Sequence, residues 1–326
     1  MPAPHAVYAD IDDLDLAPGI AALESAGFRV TLAGSDDPDV VAGVAADAVA
    51  LLVGYGSVDR ALLARLPALQ VVSLVSQGHD NVDLDACCRA GVQVAHLPPV
   101  ATEEVATHAW ALTLALVRQL SFFTQSSRTA STWSARPATP PRRLSRLSVG
   151  IVGTGRTAAS YAAFAERHVA GVASWSRRGR VLPGTRAATD LADLLAGSDV
   201  VSLHVPLSAA TERLVDDEFL RAMRPGSYLV NVARGGLVDP HAVARALDRG
   251  HLAGVALDVL DQEPAGPGHP LAQRDDVLLT PHVAYWSAES ERAYVLEQAG
   301  NVIDWLTTGT VTHPVASPTP PATRVF

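Results

Sequence analysis

The ten residues Val149-Gly150-Ile151-Val152-Gly153-Thr154-Gly155-Arg156-Thr157-Ala158 decide how the chain folds. A short apolar strand runs into a Gly-x-Gly-x-x-Ala turn and then into a helical pattern. Gly153 suits the tight turn, Gly155 lets a backbone approach a pyrophosphate, and the small Ala158 lets helix and strand pack closely. Amides at such a helix start favour phosphate, which makes Gly153, Thr154, Gly155, Arg156 and Thr157 candidate dinucleotide contacts.

On both sides of this turn, short apolar runs alternate with helical stretches, the pattern of an α/β protein with mostly parallel sheets. Downstream, strands are expected at Val172–Ser176, Val200–His204, Ser227–Asn231, Gly254–Leu257 and Val277–Leu279, completing a doubly wound dinucleotide domain with Ser148–Val152. Upstream, strands are expected at Ala6–Asp10, Val49–Val53, Val71–Val75 and Val92–Leu97, with a helix at Pro18–Ala26. One long helix is expected from Thr102 to about Leu120, its apolar surface broad enough for a subunit contact or a core position. The Pro- and Arg-rich stretch 136–146 reads as a connection, and the amphipathic stretch Ala288–Leu306 as a helix returning to the first domain. The domain division expected is 1–98 with 286–326, and 99–285. The Pro/Thr-rich end, 314–326, is expected to be a tail without a core.

The 326 residues carry a formal net charge of −9, are 48% hydrophobic and 18% charged, and suffice for two cores. The acidic balance argues against a general affinity for nucleic acid. No apolar run approaches the roughly 18 residues of a membrane span, and the start MPAPHAVYADID lacks the basic and apolar regions of a secretory signal. A cytoplasmic protein is therefore expected, with no membrane partner. The only cysteines, Cys87 and Cys88, are adjacent and fit neither a disulfide framework nor a zinc site, so they read as helix residues and no metal is expected.

After the second strand of the dinucleotide domain stands Trp175-Ser176-Arg177-Arg178. An NAD-selective site commonly has an acid there for the ribose hydroxyls. Here Ser176 can hydrogen-bond a 2′-phosphate and Arg177 or Arg178 can clamp it, which favours NADP(H) while leaving NAD(H) possible.

Three further blocks end predicted strands: Val230-Asn231-Val232-Ala233-Arg234-Gly235-Gly236, Asp258-Val259-Leu260-Asp261-Gln262-Glu263-Pro264 and Thr280-Pro281-His282. In a doubly wound sheet such ends converge on one crevice. Arg234 offers a planar donor fork for a carboxylate or carbonyl, His282 can exchange a proton near neutral pH, and Glu263 can orient its ring and stabilise the imidazolium.

With these blocks, Gly78-His79-Asp80-Asn81-Val82-Asp83, Thr102-Glu103-Glu104-Val105-Ala106 and His204-Val205-Pro206-Leu207 closely resemble the D-isomer-specific 2-hydroxyacid dehydrogenase family over nearly all of residues 45–310. The resemblance implies two Rossmann-like domains, one a dinucleotide domain and the other a smaller, discontinuous, flavodoxin-like substrate domain, with a cleft between them and usually a homodimer built on the dinucleotide domains. It implies that Arg234, Glu263 and His282 are catalytic. On the cofactor side it places His204, Val205, Pro206, Thr211, Val232, Ala233 and Asp258, the last near the nicotinamide. Backbone amides near Gln77 and Gly78 would hold a substrate carboxylate, with Ser76 in the substrate loop; Tyr285, and Trp286 after it, read either as pocket-lining or as packing residues after the His282 turn. The reaction implied is hydride transfer between NAD(P)H and a small 2-oxo or 2-hydroxy acid, within reach of the glyoxylate/hydroxypyruvate reductase branch.

Ala158, Ser176 and Ser76 depart from commoner family residues, which puts NAD preference and pocket shape in doubt. Two other readings share the machinery. Thr102–Ala106 and 282–290 also resemble the transcriptional corepressors called C-terminal binding proteins, dinucleotide sensors that keep the same triad. A phosphoglycerate or phosphite dehydrogenase-like enzyme is the other, although no second Arg or Lys cluster marks a phosphate pocket.

Overall fold

Alternation along a strand sends successive side chains to opposite faces, and strands apolar at every position must be covered on both. The computed structural model describes residues 2–11, 13–129 and 139–316. Within them the chain divides into two compact units, residues 1–100 with 287–326 and residues 101–286. Two sheets with helices on both faces form their centres.

The first unit contains β1 (His5–Tyr8), α1 (Ala17–Ser25), β2 (Arg29–Leu32), α2 (Pro38–Ala45), β3 (Ala50–Val53), α3 (Arg60–Leu63), β4 (Val71–Leu74), α4 (Leu84–Ala90) and β5 (Gln93–Ala95). The strands of this stretch are parallel in the order β2-β1-β3-β4-β5, the flavodoxin-like arrangement. One face, with Val7, Leu51, Val53, Val72 and Leu74, packs under α2, α3 and α4. The other carries Tyr8 and Ser73 toward the closing helix of the unit. Ser73 Oγ donates to the Gln298 carbonyl at 2.9 Å, and Gln298 Nε2 donates to the Val53 and Ser73 carbonyls at 3.2 and 2.9 Å. Cys87 and Cys88 lie in α4, as their reading as helix residues requires.

The second unit contains α5 (Thr102–Val117), α6 (Leu120–Thr129), β6 (Ser148–Val152), α7 (Arg156–Ala165), β7 (Gly171–Trp175), β8 (Arg186–Ala187), α8 (Leu191–Gly197), β9 (Val200–Leu203), α9 (Asp217–Ala222), β10 (Ser227–Asn231), α10 (Pro240–Asp248), β11 (Leu252–Leu257) and β12 (Val277–Leu279). The sheet runs β12-β11-β10-β9-β6-β7-β8, all parallel, so the order reverses at β6. Val149, Ile151, Val200, Val230 and Ala256 pack under α5 and α7. Val152, Val201, Leu203, Leu229 and Leu257 pack under α8, α9 and α10. α11 (Ala288–Thr308) and β13 (Pro314–Ala316) then belong to the first unit.

Several expectations change. The helix from Thr102 is two helices, because Gln119 takes a left-handed φ of +53° between α5 and α6. α5 is a core helix on its Ala109, Leu112 and Leu116 face. The tail is not wholly without structure: β13 pairs antiparallel with β5, because the open edge of that sheet offers unpaired backbone groups. Its residues 317–326, like residues 136–138 of the expected connection, lie outside the described residues; Leu144–Arg146 is a single 3-10 turn. β2 passed unread because it is a four-residue edge strand with no buried position, and α3 because it is four residues long. Among the described residues no helix is long and apolar enough to cross a membrane.

Gly150 marks where β6 and α8 meet. A Cβ there would lie 2.3 Å from Ser198 Oγ and 2.8 Å from Leu194 Cδ2, while that hydroxyl is held by its bond to the Leu194 carbonyl. Gly150→Ala is expected to lower unfolding free energy by about 1–3 kcal/mol in urea denaturation, and adding Ser198→Gly to recover part of it.

Candidate active site

At the switch point the glycine turn has the geometry its sequence requires. Gly153 adopts φ +117°, and a Cβ there would stand 2.2 Å from the His204 carbonyl oxygen. Only glycine tolerates both the conformation and the contact. Gly155 is the N-cap of α7, with open space where a Cβ would project, and α7 has no acidic residue in its first turn. Ala158 is fully buried against the sheet. Free amides, the positive end of the helix and empty space together fit a dinucleotide pyrophosphate.

Beneath the turn runs a buried polar line. Thr113 Oγ1 lies 2.8 Å from the Tyr161 hydroxyl, and Ser202 Oγ lies 2.9 Å from His204 Nε2. Burial pushes Tyr161 up to about 12 and His204 down to about 3, so both are neutral at pH 7. Positive charge is left to the rim. Arg177, Arg178 and Arg180 are exposed on the turn after β7, and Arg156 is exposed at the start of α7. None of the four has an ion-pair partner among the described residues. The Ser176 hydroxyl donates to the Arg180 carbonyl at 2.8 Å and so shapes the turn, a bond that occupies the donor expected to meet a 2′-phosphate. Arg180, missed in the sequence, was legible only as a third basic residue two positions beyond Arg178.

Thr211 Oγ1 donates to the Pro206 carbonyl at 2.7 Å and accepts from the Ser208 amide at 2.8 Å, closing the loop that follows His204 and Val205. Val232 is buried and Ala233 half-buried after β10. Asn231, fully buried, brackets Arg234: its Oδ1 accepts from the Ala233 amide at 3.0 Å and its Nδ2 donates to the Arg234 carbonyl at 2.8 Å.

Asp258, the residue after β11, is 1% exposed. Its carboxylate accepts from Thr280 Oγ1 at 2.5 Å, the Val283 amide at 3.0 Å and the Ala284 amide at 2.9 Å. Its carbonyl accepts from the His282 amide at 2.8 Å. The expected nicotinamide neighbour is thus the clasp of the turn carrying His282, which sits at a left-handed φ of +53°. His108 of α5, also missed, places Nε2 3.0 Å from Thr280 Oγ1.

His282 Nδ1 lies 2.7 Å from Glu263 Oε2, and Glu263 Oε1 accepts from the Leu260 amide at 2.7 Å. Burial acts to raise the Glu263 carboxyl, but the His282 hydrogen bond and charge, the Leu260 amide and the Arg234 charge outweigh it and hold the group below its usual 4.5. The stability contributed by the ionised Glu263 carboxylate is therefore fully present above pH 4.5 and is lost as pH falls through the lower folded value. The Tyr285 ring stands edge-on to His282, centroids 6.5 Å apart. Ser76, Gln77 and Gly78 lie in the first unit, where Ser76 Oγ donates to the Gly78 carbonyl at 2.6 Å.

Gly235 ties the Arg234 turn to the Glu263 loop: a Cβ there would lie 1.9 Å from the carbonyl carbon and oxygen of Leu260 and 2.4 Å from the Asp261 nitrogen. Backbone cannot yield as a side-chain tip can. Gly235→Ala is expected to cut kcat/KM by about 100-fold or more, through displacement of both groups, with the secondary structure retained by circular dichroism.

The family described as D-isomer specific 2-hydroxyacid dehydrogenase, NAD binding domain, matches residues 110–284. A glyoxylate reductase of Thermofilum pendens is 35% identical over 254 residues, 76% of this chain and 74% of that protein. The NADPH-dependent glyoxylate/hydroxypyruvate reductase of Sinorhizobium meliloti, solved with NADP and malonate, superposes with a TM-score of 0.85 at 29% identity, over 96% of this chain and 97% of that one. The D-lactate dehydrogenase of Aquifex aeolicus, solved with NAD and lactic acid, gives 0.86 at 28% identity, over 96% and 100%. A histidine paired with a carboxylate, an arginine turn locked to the same loop and a phosphate-ready glycine turn are what hydride chemistry on a hydroxy acid needs, and with more than half its length matched the chain belongs to the D-isomer specific 2-hydroxyacid dehydrogenase family of NAD(P)-dependent oxidoreductases.

Proposed function

We propose that the protein is an NADP(H)-linked 2-oxo acid reductase acting on a small substrate, with glyoxylate and hydroxypyruvate as first candidates. The observation that carries the reading is the 2.7 Å contact of His282 with Glu263, in a pair that also feels the Arg234 charge. When bound, the nicotinamide supplies the hydride to the carbonyl carbon. His282 Nδ1 is engaged by Glu263, so Nε2 gives the proton to the carbonyl oxygen, and the ionised Glu263 stabilises the imidazolium. Arg234 binds the carbonyl oxygen as negative charge grows there, a contribution of about 3 kcal/mol to the transition state. Tyr285 is assigned the pocket wall.

The pyrophosphate is assigned to the Gly153–Thr157 turn, with Val205, Pro206, Thr211, Val232 and Ala233 along the cofactor. The preference for NADP(H) rests on Arg177, Arg178 and Arg180, which stand without an acid where a 2′-phosphate would lie; NADP is also the cofactor bound in the structure of the Sinorhizobium relative. The proposed compartment is the cytoplasm, on the need for a dinucleotide. A homodimer is proposed through the second unit, where α6 leaves Leu120 and Phe122 exposed at 51% and 37%.

Oxidation of NADPH and NADH should be followed against glyoxylate, hydroxypyruvate, pyruvate and phenylpyruvate. Turnover preferring NADPH is expected, and His282→Ala should abolish it with NADPH binding kept; unchanged turnover in that variant would remove the proton-transfer role. Arg177→Glu with Arg178→Glu should raise the KM for NADPH about 10-fold or more while that for NADH moves little. Light scattering should give twice the mass of one chain, and a monomer mass would sink the dimer.

A further inference from the structure

The Thr280 hydroxyl has one hydrogen and two neighbours able to take it. Asp258 Oδ1 lies at 2.5 Å and His108 Nε2 at 3.0 Å. A carboxylate only accepts, so the hydrogen goes to Asp258. Thr280 Oγ1 then turns a lone pair to His108, and His108 Nε2 must carry the hydrogen that fills it. The same nitrogen lies 3.5 Å from Asp258 Oδ1, so its N–H also points into the carboxylate's charge. Donation therefore runs one way, from α5 through Thr280 to Asp258. From Asp258 the contacts continue to the Val283 and Ala284 amides and, through its carbonyl, to the amide of His282.

We infer that His108 and Thr280 are positioning residues for the proton-transfer histidine: the His108–Thr280–Asp258 relay holds the 280–284 turn in the one conformation that aims His282. This rests on the catalytic reading of His282 above. Two features of the geometry make the relay more than packing. The His282 backbone is in a left-handed conformation, which a non-glycine residue keeps only when its surroundings impose it. Asp258 is sealed from water, so removing a donor leaves a lone pair that no solvent replaces. The turn would relax to satisfy the carboxylate, and the imidazole would move with it.

Thr280→Val keeps the shape and removes the hydroxyl; His108→Phe keeps a ring and removes the donor. In the full-length chain, with NADPH and glyoxylate, each is expected to lower kcat about 10- to 100-fold. The KM for glyoxylate and the Kd for NADPH, read by NADPH fluorescence, should stay within about 2-fold, because positioning acts on the chemical step. Thr280→Ser and His108→Gln, which restore a hydroxyl and an N–H, should recover most of the loss. Nitrogen-15 spectra of the histidine rings should show His108 with its hydrogen on Nε2, the signal being assigned by its disappearance in His108→Gln. Wild-type kcat in both Thr280→Val and His108→Phe, losses that fall only on NADPH affinity or thermal stability, or a His108 hydrogen on Nδ1 alone would each overturn the relay. His282→Ala is the comparator: if it turns over normally, the catalytic reading itself fails, whereas a dead His282→Ala beside fully active relay variants removes only the positioning role.

Discussion

A carboxylate shut away from water just past the end of a strand must be given donors, and Asp258 obtains them from the turn that carries His282. Much of the site is arranged around that requirement. Satisfying both oxygens draws in the Val283 and Ala284 amides, forces His282 into a left-handed backbone and leaves its ring facing Glu263. The loop carrying Glu263 is pressed in turn against Gly235, so close that no side chain fits between them. Arg234, bracketed by Asn231, sits on the other side of that contact. Three groups from the ends of three strands are thereby fixed by backbone contacts, which vary less than side-chain rotamers do.

The dinucleotide end follows a different rule. Here the sheet reverses direction at β6, and the space above Gly155 is kept open while the interior is made electrically neutral. His204 and Tyr161 are held uncharged by burial, and their hydrogen bonds with Ser202 and Thr113 satisfy them internally. The exposed Arg177, Arg178 and Arg180 stand on the turn after β7, and Arg156 at the start of α7. The amides and helix dipole fit a pyrophosphate, and the exposed arginines are the groups to which the proposed 2′-phosphate contact is assigned.

Much of this was legible in the sequence because it is local. The glycine spacing of 153–158, the apolar runs of the strands and the positions of Arg234, Glu263 and His282 after strand ends are short-range patterns with few alternative readings. What escaped was short, at an edge or contingent on a neighbour. β2 and β13 are edge strands, whose pairing with β1 and β5 no local periodicity reveals. The break at Gln119 interrupts an otherwise continuous helical pattern without Gly or Pro. Ser176 looked free to bind phosphate, and only the fold brings the Arg180 carbonyl to its hydroxyl.

The sequence by itself determined the α/β class, the doubly wound dinucleotide unit, its glycine turn and the placing of Arg234, Glu263 and His282 after strand ends, since each follows from residue type and near spacing. Tertiary structure alone decided that Asp258 serves as a clasp, that Thr280 and His108 stand behind it, and that Gly235 joins the arginine turn to the glutamate loop. Those contacts link residues 22 to 172 positions apart. Their hydrogen-bond directions and close approaches exist only once the strands have brought them within a few ångströms of each other.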